Sequence, residues 1–185
     1  MCVDDGEFAG ETTGHSRQQP RAQLLGRHTR KGFEADDVIG SIARISRERG
    51  DVQVLIVTGD SDLLQLVDEN TRVVLPGTQR FGDLRYYDID AVRSRFGFDP
   101  PFVADYKALV GDKSDNIPGV AGIGEKTAKA LIAEYGDIEA ILASVDEITP
   151  TRARNALAAG VDSARQSKWL ATIVRDIPIK IDLDH

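Results

Sequence analysis

Apolar residues recur at helical spacing in the segment that follows Glu34. Their positions predict a helix of about four turns that ends before Gly50, a residue suited to the left-handed conformation after a helix. The next apolar run, VQVLIV at residues 52–57, is continuous and rich in β-branched residues, so it predicts a buried strand. The apolar positions of the helix are Ala35, Val38, Ile39, Ile42, Ala43 and Ile45.

Strand and helix patterns alternate as far as Leu109. A short helix is predicted after Asp60, a second strand at residues 71–75, and a short extended piece at Tyr86 and Tyr87. Beyond Gly111 the pattern is helical, with Gly, Pro or Asp between the segments. We predict an α/β fold with a parallel sheet and flanking helices, followed by a helical subdomain. Helices are predicted at residues 88–96, 101–109, 124–135, 138–145, 151–159 and 163–174.

The chain divides into three parts by pattern. Residues 1–30 mix Gly, Gln, Thr, Ser, Arg and His with no period of 2 or 3.6, which predicts loop or disorder. Residues 31–110 form the α/β part, and residues 111–185 the helical subdomain. A chain of 185 residues is long enough for one compact domain with such an appendage.

Composition and charge narrow the class of protein. With 41% hydrophobic and 29% charged residues, no apolar run able to span a membrane and no signal-peptide pattern, the chain is expected in the cytoplasm. The single cysteine, Cys2, excludes an internal disulfide and a cysteine metal cluster. The net charge is −7, and three short blocks together contain seven acidic residues. The rest of the chain has 23 acidic residues and 23 Lys and Arg, so it is neutral. The seven are Glu34, Asp36, Asp37, Asp60, Asp62, Asp112 and Asp115.

These acidic blocks predict a metal site. Asp60 and Asp62 directly follow a predicted strand, where ligand sites of parallel sheets lie. In the helix before that strand, Glu34 and Asp37 share a face, whereas Asp36 points to the side. We expect all seven acids to form one cluster, whose oxygen ligands favour Mg²⁺ or Mn²⁺ over zinc. Each block alone is also compatible with helix capping or a turn, but together they would repel one another without cations.

A glycine-rich stretch, GVAGIGEKTA at residues 119–128, precedes one of the predicted helices. Glycines allow backbone N–H groups to approach an anion at a helix N-terminus, and Lys126 and Lys129 lie where they could reach neighbouring phosphates. The alternative is a tight turn between helices with Ile123 packed inside. Elsewhere, Trp169, Leu170, Ile173 and Val174 predict the core face of the last helix, and His15, His28 and His185 are poorly placed for catalysis.

Four motifs, in order, resemble the 5′→3′ exonuclease domain of bacterial DNA polymerase I and, more distantly, flap endonucleases. They are GFEADD (32–37), TGDSDLLQL (58–66), ADYKALVGDKSDNIPGVAGIGEKTA (104–128) and SKWLATIVRDIPIKIDL (167–183). The resemblance implies a PIN-like core at residues 31–110 and a helix-hairpin-helix subdomain at residues 111–185. It also implies a 5′→3′ exonuclease or 5′-flap endonuclease that hydrolyses DNA phosphodiesters in replication and repair by a two-metal mechanism.

The resemblance also implies roles for single residues. The seven acids match metal ligands or their immediate supports, with Asp37, Asp60, Asp62 and Asp115 as the catalytic set. A hairpin that binds DNA without reading its sequence, with a K⁺ ion at its turn, is implied at Gly119, Gly122, Gly124, Lys126 and Thr127. Lys129 is predicted to bind DNA from its position beside that hairpin. The substrates implied are 5′ flaps, nicks and duplexes with a 5′ end.

The first 30 residues depart from the family pattern. Relatives begin with a strand that ends in a catalytic Asp and continue into a helical arch, and neither is recognisable at residues 1–30. We therefore expect an N-terminally truncated nuclease with weak activity. A DNA-binding module without catalysis is the alternative, and an RNA-directed PIN-like nuclease is disfavoured because that fold alone does not bring the GVAGIG hairpin.

Overall fold

The computed structural model describes residues 33–77, 82–181 and 183. The predictions for residues 1–30, and those for Cys2 and the three histidines, lie outside these residues. The described chain contains seven α-helices and three strands. No helix among the described residues is long and apolar enough to cross a membrane. The helices are α1 (Ala35–Arg49), α2 (Ile89–Phe96), α3 (Val103–Val110), α4 (Glu125–Tyr135), α5 (Ile138–Ala143), α6 (Thr151–Ala159) and α7 (Val161–Ala171), and the strands are β1 (Val54–Val57), β2 (Thr71–Pro76) and β3 (Leu84–Tyr87).

The sheet is mixed, in the order β1-β2-β3. β1 and β2 pair in parallel, with Val54 opposite Thr71, which confirms the predicted pairing. β3 runs antiparallel to β2, because the short connection after Pro76 cannot carry the crossover that a parallel strand needs. β1 is the edge of the described sheet, so the predicted burial is wrong for two of its residues: the exposed fractions are 56% for Leu55 and 72% for Val57.

One hydrophobic core joins the sheet to the helices on both sides of residue 110. Val73 from β2, Leu109 from α3, Ile141 from α5 and Leu157 from α6 are completely buried in the same cluster. The short 3₁₀-helix Ser61–Leu66 adds Leu64, also completely buried. The division of the chain at residues 110 and 111 stays a prediction, since the core is continuous there.

Helix α7 packs against α3 through small residues, contrary to the predicted core face. It ends at Ala171, so Ile173 and Val174 lie beyond it. Its buried residues, Ala164, Ser167 and Ala171, follow the spacing of one helical face. Trp169 is 77% exposed and Leu170 is 44% exposed, and of the four predicted core residues only Ile173 is buried.

The segment after α7, residues 172–177, crosses α1 and is held by side chains from earlier elements. Gln65, which is buried, donates from its amide nitrogen to the Ala171 carbonyl (3.0 Å) and accepts from the Ile173 N–H (3.1 Å). Ser41 Oγ of α1 accepts from the Ile177 N–H at 3.1 Å. We call residues 172–177 the C-terminal strap, because these bonds fix it across α1.

Candidate metal centre and nucleic-acid interface

Six of the seven predicted acids line one pocket of about 240 Å³. We call this the acidic pocket; its acids come from the start of α1, the turn after β1 and the loop after α3. A second pocket shares Asp60, Asp62 and Asp115 with it and adds Asp112. The structure therefore gathers all seven acids on adjoining surfaces. The six in the acidic pocket are Glu34, Asp36, Asp37, Asp60, Asp62 and Asp115.

Asp36 and Asp37, at the start of α1, have different surroundings. Burial and then the negative charge of Asp60 raise the pKa of Asp36, with smaller effects from Glu34, Asp37 and Asp115. Asp36 was expected to point away from Glu34 and Asp37, but its carboxyl group interacts electrostatically with Asp60. The two oxygens of Asp37 accept the N–H groups of Glu34 (3.1 Å) and Val174 (2.9 Å), so Asp37 joins the helix start to the C-terminal strap.

The turn after β1 carries the next two acids. Asp60 is the N-cap of the 3₁₀-helix and accepts from the Asp62 N–H at 2.8 Å. Asp62 is buried, and this burial raises its pKa; Lys107 opposes the rise, and the charges of Asp60 and Asp115 add to it. Burial and acidic neighbours favour the protonated form of a carboxyl group, whereas a nearby cation favours the ionised form.

Lys107 of α3 provides a cation inside the cluster. Its ammonium forms an ion pair with Asp62 and lies 2.6 Å from Asp112 Oδ2 and 3.6 Å from Asp115 Oδ2. Burial works to lower the pKa of Lys107, but its bonds to Asp112 and Asp62 outweigh this effect and the pKa is raised. The same contact, helped by Ser114, lowers the pKa of Asp112 to about 2.

The loop after α3 sets the geometry of Asp112 and Asp115. Asp112 and Ile117 exchange both backbone hydrogen bonds (2.9 and 2.8 Å), which closes a tight loop between them. Asn116 in that loop has a left-handed backbone, with φ of 57°. The loop turns Asp115 back towards the end of β1.

The donor set fits a divalent cation. Asp62, Asp112 and Asp115 each offer a carboxylate oxygen within 4.8 Å of the other two. Metal–oxygen bonds of about 2.0–2.1 Å place ligands on opposite sides of one ion about 4 Å apart, so a small adjustment would seat a cation. The ammonium of Lys107 already stands among these three oxygens, which shows that this place accommodates a positive charge.

The glycines of the predicted hairpin have different structural roles. Gly119 is buried, its N–H donates to Ser167 Oγ (2.9 Å), and its carbonyl accepts from Ser163 Oγ (2.6 Å). A Cβ at this residue would lie 2.3 Å from the Gly111 nitrogen. Gly119 thus allows the end of α3 to pack closely against α7, and its N–H is already bonded within the protein instead of facing a phosphate.

Gly122 and Gly124 lie on the exposed part of the hairpin. Gly122 has φ of 93° and Gly124 is the N-cap of α4, without a side-chain cap of its own. Together with Thr127 they line a concave surface of about 490 Å³, to which Arg152 of α6 also contributes. Ile123, between the glycines, is buried in the core and anchors the turn. The N-terminal N–H groups of α4 and Arg152 therefore meet at a surface suited to an anion.

The two lysines of α4 differ. Lys126 is exposed in the first turn, near the hairpin. Lys129 donates to the Arg95 carbonyl at 3.2 Å and lies over the rings of Phe96 (5.6 Å) and Tyr106 (6.0 Å). Lys129 thus joins α4 to α2 and faces a groove of about 380 Å³ that extends to Lys107.

Two family models match the chain, one up to residue 97 and the other from residue 98 onwards. The model described as the 5′-3′ exonuclease N-terminal resolvase-like domain matches residues 19–97, and that of the 5′-3′ exonuclease C-terminal SAM fold matches residues 98–185. The chain belongs to the 5′-3′ exonuclease family. This confirms the family resemblance and the PIN-like fold, whereas the exact domain bounds stay a prediction.

Relatives of this 5′-3′ exonuclease chain include bacterial DNA polymerases I. That of Chloroflexus aurantiacus is 46% identical over 161 residues, covering 85% of the chain and 17% of the polymerase. The DNA polymerase I of Bacillus subtilis is 38% identical over 162 residues, which cover 88% of the chain and 18% of the polymerase. The chain thus spans less than a fifth of the length of these polymerases.

Two solved structures of phage T5 proteins share the fold. The T5 D15 protein, co-crystallised with metal ions, matches with a TM-score of 0.69 at 24% identity. The match covers 80% of the present chain and 52% of the T5 D15 chain. The T5 5′-exonuclease with bound zinc matches with a TM-score of 0.66 at 24% identity, with the same coverage.

The structure adds two basic residues to the site of the exonuclease chain. The sequence pattern does not indicate Lys107, because a lysine in an amphipathic helix is ordinarily expected in solvent; the nearest local signal is Asp112, five residues further along the chain. Arg152 has no local signal, because α6 brings it to the hairpin only through folding. Leu170, expected in the core, lines the acidic pocket instead.

Proposed function

We propose that the acidic pocket holds divalent cations and hydrolyses DNA phosphodiesters near 5′ ends. The observation that carries this proposal is the convergence of seven acids, from three separate segments, on adjoining pockets. Capping alone would not gather them, since Glu34 and Asp115 lie in separate elements that are far apart in the sequence. Membership of the 5′-3′ exonuclease family supports the reaction.

Two groups of acids would hold two cations. Asp62, Asp112 and Asp115 form one group; Asp36, Asp60 and Glu34 form the other, with Asp37 supporting the helix start from which two of them extend. When bound, such ions would supply an aimed hydroxide and stabilise the leaving oxygen. The all-oxygen donors favour Mg²⁺ or Mn²⁺, although a structural neighbour was solved with zinc.

DNA would lie along the hairpin with no reading of its sequence. Gly122, Gly124 and Thr127 present backbone and hydroxyl groups, and Lys126 and Arg152 add positive charge beside them. Contacts of this kind bind phosphates in the same way whatever the base sequence. A K⁺ ion between the hairpin backbone and a phosphate belongs to the same proposal, as does the cytoplasmic location.

The decisive experiment uses a labelled 5′-flap DNA with Mg²⁺ or Mn²⁺. Asp115→Asn removes a charge from the acidic pocket, and the matched control Asp146→Asn removes one from an exposed residue outside it. We expect weak, metal-dependent cleavage that is lost with Asp115→Asn and kept with Asp146→Asn. Cleavage unaffected by Asp115→Asn would contradict the assignment of the site.

DNA binding is measured separately, by anisotropy at several salt concentrations. We expect binding that weakens with salt, and Lys126→Ala should weaken it equally for unrelated sequences, with exposed Lys180→Ala as control. Such binding without any cleavage would instead assign the alternative function, a sequence-independent DNA-binding module.

A further inference from the structure

The side chain of Lys107 occupies the interior of the acidic cluster. The residue is 8% exposed, on α3, and its ammonium contacts carboxylates that precede and follow it in the chain: Asp62, Asp112 and Asp115. A lysine is rarely buried to this extent unless its charge is compensated.

A divalent cation and this ammonium compete for the same oxygens. The three carboxylates that Lys107 contacts are the three whose oxygens lie within 4.8 Å of one another. A metal ion bound there at about 2.0–2.1 Å from each oxygen would stand almost where the ammonium stands now. Two positive charges cannot share that place, so binding of the metal requires the ammonium to leave.

A groove beside the acidic cluster could accommodate the displaced ammonium of Lys107. Lys107 lines the wall between the acidic cluster and the neighbouring groove of about 380 Å³. Glu125, at the start of α4, provides a carboxylate in that groove, which it shares with the cationic side chains of Arg95, Lys113 and Lys129. A lysine side chain has enough rotatable bonds to move between the two sides without displacing α3.

We propose that Lys107 is a tethered counter-ion, which takes the place of one divalent cation in the metal-free protein and is displaced when that cation binds. It reduces the repulsion among Asp62, Asp112 and Asp115 in the absence of metal and, by competition, raises the metal concentration needed to fill this half of the site. This inference rests on the proposed function, because it assumes that Asp62, Asp112 and Asp115 bind a metal ion.

The test compares Lys107→Met with wild type by Mn²⁺ titration calorimetry at neutral pH. We expect Lys107→Met to bind one Mn²⁺ ion at least about tenfold more tightly than wild type, and to melt at a lower temperature than wild type in EDTA. Lys113→Met, which removes an exposed positive charge one residue from Asp112, is the control and should shift both values little. Equal affinities in wild type and Lys107→Met, or weaker binding in Lys107→Met, would overturn the inference while leaving the proposed metal site intact.

A second measurement uses wild type alone, in case Lys107→Met fails to fold. The ammonium resonance of Lys107, slowed in exchange by its ion pairs, is followed by ¹⁵N-detected NMR as Mg²⁺ is added. Its broadening or shift in step with Mg²⁺ binding supports displacement, and an unchanged signal at saturating Mg²⁺ refutes it. If neither wild type nor Lys107→Met binds Mn²⁺ at millimolar concentration, the proposed metal site fails as well.

Discussion

Replacement of Gly119 by alanine tests whether the hairpin glycines share one role. A Cβ at Gly119 would lie 2.3 Å from the Gly111 nitrogen and 2.7 Å from its Cα, and both atoms belong to backbone that cannot rotate away. The residue also has φ of +66°, a conformation that costs an L side chain about 1–2 kcal/mol. Overpacking of this kind adds about 1–3 kcal/mol.

The expected loss is therefore about 3 kcal/mol in the free energy of unfolding. Since domains are stable by only about 5–15 kcal/mol, this is a large fraction of the total. With a urea slope of about 1–3 kcal/mol/M, the unfolding midpoint should fall by at least about 1 M. The assay is equilibrium urea unfolding followed by circular dichroism, in EDTA so that metal binding does not contribute.

Two other glycines of the hairpin serve as matched controls. Gly122 has φ of +93° but its Cβ would meet nothing closer than 3.6 Å, so alanine should cost only about 1 kcal/mol. At Gly124 the Cβ would meet nothing within 4 Å and φ is −103°, so stability should hardly change. A Gly119→Ala protein as stable as Gly124→Ala would refute the close approach of Gly119 and Gly111.

Three further changes test the contacts that support the site. Asp105→Ala should cost about 3–5 kcal/mol in urea unfolding, because this buried carboxylate accepts from the Ile138 N–H and pairs with Lys168. Gln65→Leu should cost about 1–3 kcal/mol by freeing the C-terminal strap, whereas Gln166→Leu, at an exposed glutamine, should change stability by less than about 0.5 kcal/mol. In EDTA, the pKa of Asp112 is about 2, below its usual 3.8. Solvent screens this partly exposed group, so wild type should be more stable than Asp112→Asn by about 1 kcal/mol above pH 5. This advantage should be lost as the pH falls through about 2.

Much of the fold was predictable because its signals are local. The helical spacing after Glu34 and the glycine at residue 50 predicted α1, which ends at Arg49 with Gly50 in the left-handed conformation. The β-branched run predicted β1, the strand pattern at residues 71–75 predicted its parallel partner, and Asp88, at the start of the helix predicted at residues 88–96, accepts from the Ala91 N–H and begins α2. Capping and periodicity depend on neighbours within a few residues, so one sequence suffices to detect them.

The errors concern contacts between distant residues. The apolar residues near Trp169 looked like a core face, but α7 approaches α3 so closely that only Ala and Ser fit between the helices. Likewise, a glycine needed for close approach cannot be distinguished from a turn glycine without its partner, and Gly119 meets Gly111 only in the folded chain. The acidic cluster could be predicted by the strand rule, whereas the burial of Lys107 depends on how α3 packs.

The C-terminal strap has a consequence for the order of folding. Asp37 accepts from Val174, which is 137 residues further along the chain, and Ser41 accepts from Ile177, 136 residues away. At a synthesis rate of about 5–20 residues per second, the C-terminal strap is synthesised roughly 7–30 seconds after α1. The first acidic block therefore attains its final position only after residue 177 has been synthesised, so a shorter nascent chain carries an unfinished site. Pulse-labelled hydrogen exchange should accordingly find the amides of Val174 and Ile177 among the last to be protected.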